Sequence, residues 1–585
     1  MEADVALARG DLDAADLLTT RARALEPGNA DVDAMHGLIK LHRHDAAGAF
    51  AALNTAAQSR PDDPLLLYAL GLTALGREMP AIAEQIFMRA ASMDAGIAAL
   101  PGLLAHSALQ HRDAAAALAH IEAALTQPGQ ATPALRRMAA ELALGARQFD
   151  RILELLLPPL AEHADDPQAL QLLLTAWQQL QLPAQARYEL DAVLSDKSGS
   201  DNLWRARMSV EDTGSNAAMT VVDRWIAAKP DHVPALEART RLHDLRNEPE
   251  SAEVVARRII SLEPTHAAAQ TRLVDRLMLR DTAGAVAHVE ALIEKAEGSR
   301  RLDLRTWLGE VHDRAGNPEA ALNVWLDIQA DMLKYRLDLP PQSMEPSRWP
   351  AMGDASPPTG PRPMFLWGPP GAGAERVMKA LAEATPLVRH DRFGPTPPRD
   401  AFQEYTALQQ LVTREVTPAA MIERWRKSLP LRGVDGDAVI DWLPFWDNGL
   451  LYALRPALPE GRLLFVIRDP RDMLLDWIAY GSAAKIGFPG VTESTAWLAR
   501  ALDQIAVLSE QNLYPHLVVR IDTTLEDPEA MAQLLSQAFN THVPPTATLG
   551  PQRLPAGHWR RYRGVLADAF AVLSPTAVRL GYPQE

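Results

Sequence analysis

Two kinds of apolar patterning divide the chain. Up to about residue 335, small and apolar positions recur at helical spacing, and the turn prolines between them keep a fixed interval: 34 residues from Pro27 to Pro61, 102 (three times 34) from Pro128 to Pro230, and 34 again to Pro264. Small residues hold the same register. Gly71, Ala83 and Ala90 in one unit match Gly37, Ala49 and Ala56 in the unit before it, Ala105, Ala117 and Ala124 in the next, and Gly309 and Ala321 in a late one, with Phe87 or Trp325 as the large partner. This pattern predicts pairs of antiparallel helices in close contact. One such pair cannot bury its own apolar face, so neighbours must stack into a continuous core.

From residue 364 the pattern changes. Short apolar runs at Met364–Trp367, Ala438–Asp441, Leu463–Ile467 and Leu517–Ile521 read as strands. Helix-compatible stretches lie between or after them near 374–384, 402–429, 447–456, 471–480, 493–511, 528–539 and 565–573. Continuous apolar strands alternating with helices predict a parallel sheet covered on both faces. The fold class expected is therefore an α-helical solenoid over 1–335, a connector over 336–363 and an α/β domain over 364–585. Eight prolines, Pro340, Pro341, Pro346, Pro350, Pro357, Pro358, Pro361 and Pro363, exclude regular helix from the connector. Trp349 is placed to pin it to a neighbour.

The solenoid resembles the tetratricopeptide repeat family, and the late turn Gly316-Asn317-Pro318-Glu319-Ala320-Ala321 is typical of it. About nine units are expected, least regular near 166–232. The resemblance implies a protein or peptide partner along the concave surface.

Composition narrows the classes. At 585 residues with 47% hydrophobic and 23% charged residues, the chain has the make-up of an ordinary globular protein of several cores. It contains no cysteine, which excludes disulfides, thiolate metal sites and cysteine nucleophiles; no metal site is expected. A net charge of −16 argues against nucleic acid and anionic membranes as general partners. With no long apolar run and no basic leader, the expected location is cytoplasmic.

Candidate chemistry centres on Gly368-Pro369-Pro370-Gly371-Ala372-Gly373-Ala374-Glu375, a Gly/Pro-rich loop between the first strand and its helix. Gly368 and Gly373 satisfy the two glycines of a phosphate-cradling loop, but Ala374 and Glu375 replace its Lys and Ser/Thr. The second stretch is Phe465-Val466-Ile467-Arg468-Asp469-Pro470-Arg471-Asp472, a strand ending in charged residues that open a helix. It resembles the 3′-phosphate-binding segment of the sulfotransferase family. Val518-Val519-Arg520-Ile521-Asp522, Asp527-Pro528-Glu529 and the tail Gly557-His558-Trp559-Arg560-Arg561-Tyr562 are similar to later segments of that family, in the right order.

The resemblance implies a P-loop-like α/β fold that uses 3′-phosphoadenosine 5′-phosphosulfate (PAPS). Carried over residue by residue, Gly368, Gly371, Gly373, Arg468, Arg471 and Arg560 are the candidate donor-binding positions, and His390 is the one candidate base. Most of the family's functional groups are absent. Its loop arginine is Gly371, its hydroxyls are Ala372, Ala374 and Glu375, and the serine eight residues after Arg468 is Asp476. Its catalytic His or Lys maps to Trp442.

Hydrogen bonds to charged groups contribute roughly 1.5–3 kcal/mol each, so losing two weakens donor binding by about a hundredfold or more. A carboxylate about 4 Å from a 3′-phosphate adds a repulsion of about 4 kcal/mol at an effective dielectric near 20. A plainer reading of Arg468 and Arg471 pairs them with Asp469, Asp472 or Asp441 at a strand end. Arg560, Arg561 and Arg563 read either as a phosphate clamp or as an exposed basic helix start. The leading expectation is a protein-binding adaptor, a pseudoenzyme that needs no cofactor. The alternatives are an active protein-directed sulfotransferase using PAPS and a transferase with another phosphorylated donor.

Overall fold

The computed structural model describes residues 2–93, 96–97, 99–111, 113–126, 131–162, 164–343, 348–354 and 360–584. Pro128, Pro346, Pro357 and Pro358 lie outside the described residues. Two compact units divide the chain, Met1–Leu273 and Val274–Glu585.

The first unit is built of helical hairpins: Ala30–His42 with Ala46–Ser59, Pro64–Gly76 with Pro80–Met93, Leu100–Gln110 with Ala114–Leu125, and so on to Val233–Leu245 with Pro249–Leu262. The start signals are local. Asp45, Asp63, Asp113 and Asp166 accept from backbone amides as N-caps, and proline opens the helices beginning at 64, 133, 167 and 249. The turns within hairpins stop their first helices with a left-handed residue. Gly10, His44 and Glu78, spaced by 34, have φ of 77°, 59° and 58°, and Arg147 and Gln181 repeat the device. The close approach expected from the small residues is real: a Cβ on Gly71 would overlap the Phe87 ring, and one on Gly37 would overlap Leu53. Phe87 is fully buried. In the less regular stretch, buried Trp204 and Trp225 stack on each other (ring centroids 6.2 Å apart).

In the second unit a last hairpin, α1 (Gly298–Arg314) and α2 (Pro318–Met332), precedes the sheet. Gly309 and Trp325 repeat the glycine-to-aromatic contact. The strands are β1 (Arg362–Trp367), β2 (Val388–Arg389), β3 (Ala438–Trp442), β4 (Arg462–Ile467) and β5 (His516–Arg520), all parallel, in spatial order β2-β3-β1-β4-β5. Helices α3 (Ala374–Ala384), α4 (Thr406–Val412), α5 (Pro418–Ser428), α6 (Leu451–Ala457), α7 (Pro470–Tyr480), α8 (Val491–Glu510), α9 (Pro528–Phe539) and α10 (Ala567–Arg579) complete it.

Two expectations are corrected. A fifth strand, β2, is only two residues long and gives no apolar run to read. The single helix expected over 402–429 breaks between α4 and α5, where Arg414 is left-handed (φ 61°) and Thr417 caps a new helix opened by Pro418.

The hairpin and the sheet share one core. Ala321, Leu322, Trp325 and Ile328 of α2 belong to the same buried cluster as Phe365, Trp367 and Phe465 of the strands. Gln329 Nε2 donates to the Ile478 carbonyl (2.9 Å), and Trp325 stacks on Tyr562 at 6.1 Å. Asp313, buried on α1, accepts from Tyr562 Oη (2.8 Å) and His558 Nε2 (2.9 Å). Burial alone would raise its pKa, but these two bonds hold its carboxyl below the ordinary range. The proline-rich connector follows the same surface: Trp497 Nε1 donates to the Pro340 carbonyl (2.8 Å), Ser343 N to Asp447 (2.8 Å), and Trp349 lies against Tyr452 (5.9 Å). Among the described residues, no helix is long and apolar enough to cross a membrane.

Candidate functional site

The sheet order sends the chain from β1 towards β2 and from β4 towards β5. The carboxyl ends of β1 and β4 therefore flank the point where crossovers diverge, the usual place for a ligand crevice in a parallel sheet. The Gly/Pro loop follows β1, and the Arg468-Asp469-Pro470 turn follows β4.

The loop's shape is set by packing as well as by backbone freedom. Gly371 is left-handed (φ 77°), and a Cβ there would overlap the Met473 carbonyl of α7. Gly373, also at φ 77°, is the residue before α3 and offers no side-chain cap. Gly368 sits against Ala374 and the Val466 carbonyl. The three candidate glycines thus hold strand, loop and two helices together.

The arginines divide by role. Arg471 is fully buried, forks onto Asp469 (2.8 and 2.7 Å), donates to the Pro583 and Gln584 carbonyls, and stacks on Trp559 at 3.8 Å. It ties the chain end to the sheet. Arg468, also fully buried, donates to the carbonyls of Gly371 (3.3 Å) and Leu554 (2.9 Å) and lies 3.5 Å from Asp476. Neither arginine pairs with Asp441. That carboxylate, fully buried, takes both forks of Arg392 and Arg432 and a hydrogen bond from Trp425 Nε1. Burial would raise its pKa, yet the two guanidiniums hold it far below the ordinary carboxylate range.

Arg561 reaches Asp313 (3.3 Å), while Arg560 and Arg563 lie over the Trp559 ring (4.9 and 5.2 Å). These three arginines do not line the crevice. His390 is exposed and is not part of the crevice wall either; Phe393, three residues on, is, with its ring tilted against Trp442 at 3.9 Å.

What does occupy the crevice is Arg553, which no motif had singled out. Its Nη2 reaches Glu375 (3.1 Å), its Nη1 reaches Asp476 (3.4 Å), and its guanidinium sits 4.7 Å over the Tyr480 ring. Asp476 is 2% exposed. Burial raises its pKa, against the pull of Arg553 and Arg468. Burial likewise raises Glu310 of α1, against a hydrogen bond from Tyr480. The volume left in the crevice is about 20 Å³, enough for about one water. Asp472, beside it, caps the C-terminal segment by accepting from Gly557 N (2.6 Å) and Trp559 N (2.8 Å), and burial pushes it up to about 6.

In the first unit, a groove of about 680 Å³ runs between Ala30–His42 and Pro64–Gly76, lined by Leu38, Leu41, Leu65, Tyr68 and Leu72, with His42, His44 and Arg60 among its polar residues. Leu65 is 67% exposed there.

No protein-family model matches the chain, and no curated protein matches it. Among solved structures it is similar to the C-terminal part of a TPR repeat-containing protein from Cytophaga hutchinsonii, at 12% identity over 46% of this chain and 98% of that one, with a TM-score of 0.30. A tetratricopeptide repeat protein from Parabacteroides merdae gives 13% identity, 46% and 94% coverage and a TM-score of 0.24. YrrB, described as a TPR protein with an unusual peptide-binding site, gives 15%, 38%, 97% and 0.23. The hairpins, with left-handed turns 34 residues apart and a glycine-to-aromatic contact, are those of a tetratricopeptide-type helical repeat. A small parallel sheet follows it.

Proposed function

We propose that the protein is a scaffold: the helical repeats hold a protein or peptide partner, and the α/β part is a sulfotransferase-like fold that has given up its donor. The exposed apolar groove between successive first helices supports the repeat half of this reading. The parallel order β2-β3-β1-β4-β5, with a glycine loop after β1 meeting an Arg-Asp-Pro turn after β4, supports the kinship of the other half.

One observation carries the loss of the donor: a guanidinium from the chain itself lies between Glu375 and Asp476, where the family would place an anion. Ligand pockets of roughly 300–1,000 Å³ are usual, and about 20 Å³ remains here. A phosphosulfate entering would meet two carboxylates and displace the arginine they share.

Titration calorimetry of the full chain with PAPS and with adenosine 3′,5′-bisphosphate tests this. No heat of binding at millimolar nucleotide is expected. Micromolar binding that disappears in Arg468→Ala would overturn the reading and restore the enzyme.

A further inference from the structure

The crevice has a chemical preference of its own. Its wall presents Glu375, 31% exposed at the side chain, and Asp476, 3% exposed, and the Arg553 guanidinium that they share lies 4.7 Å over the ring of Tyr480. Two carboxylates and a π-face are the complement of a planar cation, whose fork of N–H donors matches carboxylate oxygens and whose face is attracted by the ring. Asp476 lines the crevice, and its Oδ1 is buried and accepts no hydrogen bond. Arg468 comes to 3.5 Å of that oxygen through Nη1, which donates to the Gly371 carbonyl, while its Nη2 donates to the Leu554 carbonyl.

We propose that this crevice is a guanidinium-binding site, held closed by Arg553 of the same chain, whose ligand class is an arginine-type cation. The inference rests on the reading above that the crevice takes no nucleotide.

Arg553 fills the site imperfectly, and the reason is its tether. Its backbone N–H donates to Glu526 (2.8 Å) and the next carbonyl, of Leu554, accepts from Arg468, so the side chain is delivered from a fixed point. Its contacts to the carboxylates are 3.4 and 3.1 Å, long for charge-assisted bonds. It engages Asp476 through Oδ2 alone. A free guanidinium has no such constraint and can fork onto both oxygens. With Arg553 gone, Glu375 and Asp476 keep Arg468 and, at longer range, Arg376, whose own hydrogen bonds go to the carbonyls of Leu525 and Pro551 and whose ion pair is with Glu526 (3.1 Å). The two carboxylates lose the partner they share, and a cation that restores it is favoured over an anion.

Full-length Arg553→Ala, titrated with ethylguanidinium by calorimetry, tests this. Saturable binding at least about tenfold tighter than to wild type, and at least about tenfold tighter than to Arg553→Ala with Asp476→Asn, is the expected result. Ethylammonium, which has the charge without the fork, binds the single variant more weakly. Equal affinity of ethylguanidinium for all three proteins, or preference of the single variant for adenosine 3′,5′-bisphosphate, overturns the proposal. If near-ultraviolet circular dichroism shows Arg553→Ala unfolded, Arg553→Gln, which keeps the side-chain carbons up to Cδ and removes the guanidinium, is titrated against the same controls. Nucleotide binding by wild type sinks the scaffold reading and this inference together. Its absence, combined with indifference of the variant to ethylguanidinium, sinks the inference alone.

Discussion

Asp441→Asn isolates the buried charge network beneath β3. In the native chain two carboxylate oxygens accept from Arg392 Nε and Nη2 (2.9 and 2.8 Å), Arg432 Nη1 and Nη2 (3.0 and 2.8 Å) and Trp425 Nε1 (3.0 Å). Asparagine keeps the volume and one acceptor oxygen, but turns an amide N–H₂ towards a guanidinium. At least two buried donors lose their partner, at about 1–3 kcal/mol each. Breaking a buried pair costs about 3–5 kcal/mol. Arg392 retains Asp400 (2.8 Å) and Arg432 retains Asp391 (2.8 Å), which places the expected loss near the lower end, about 3 kcal/mol.

Urea unfolding followed by tryptophan fluorescence reads the affected unit: ten of the thirteen tryptophans lie in residues 274–585, Trp425 among them. Because the folded pKa of Asp441 is depressed below the ordinary 3.8, its contribution is present at neutral pH and is lost only as pH falls below about 4. The difference between wild type and variant should therefore be flat from pH 5 to 8 and shrink in stronger acid. A loss under about 1 kcal/mol at pH 7 would refute the claim that this network holds β3 to α5.

Two further outcomes follow from the same unit. Burial pushes Asp472 up to about 6 from its ordinary 3.8, so the fold holds the proton more tightly than the unfolded chain, and stability falls as pH rises from about 4 to about 6, by up to about 3 kcal/mol; Asp472→Asn should lack that slope, so the difference between the two proteins, measured by urea midpoints across the range, should carry it. A fragment of residues 363–585 exposes the surface that Ala321, Leu322, Trp325 and Ile328 cover and should elute as aggregate from a sizing column, whereas 274–585 should elute as monomer; a monomeric, cooperatively folded short fragment would show the last hairpin to be dispensable.

The repeat register, the alternation of strand and helix, and the Gly371 and Arg468 stretches were all legible along the chain, because each depends on neighbours within one turn, one strand or one hairpin. Gly71 against Phe87 and Gly309 against Trp325 lie 16 residues apart, a spacing that a periodic pattern carries openly. The two-residue β2 and the break before Pro418 were lost to the same local view, one for want of length and the other because a proline that opens a helix looks like one inside it.

The contents of the crevice belong to tertiary structure alone. Arg553 stands in Pro551-Gln552-Arg553-Leu554-Pro555, with nothing local to mark it, and reaches Glu375 across 178 residues. Asp441 finds Arg392 and Arg432 in the same way, and Asp313 finds Tyr562 across 249. Sequence alone determined that the loop carries glycines and a carboxylate but no Lys, Ser or Thr. Only the folded chain decided which cation meets Glu375 and Asp476, because a buried carboxylate must find a counter-charge wherever the packing delivers one, and that choice is made by distance in space.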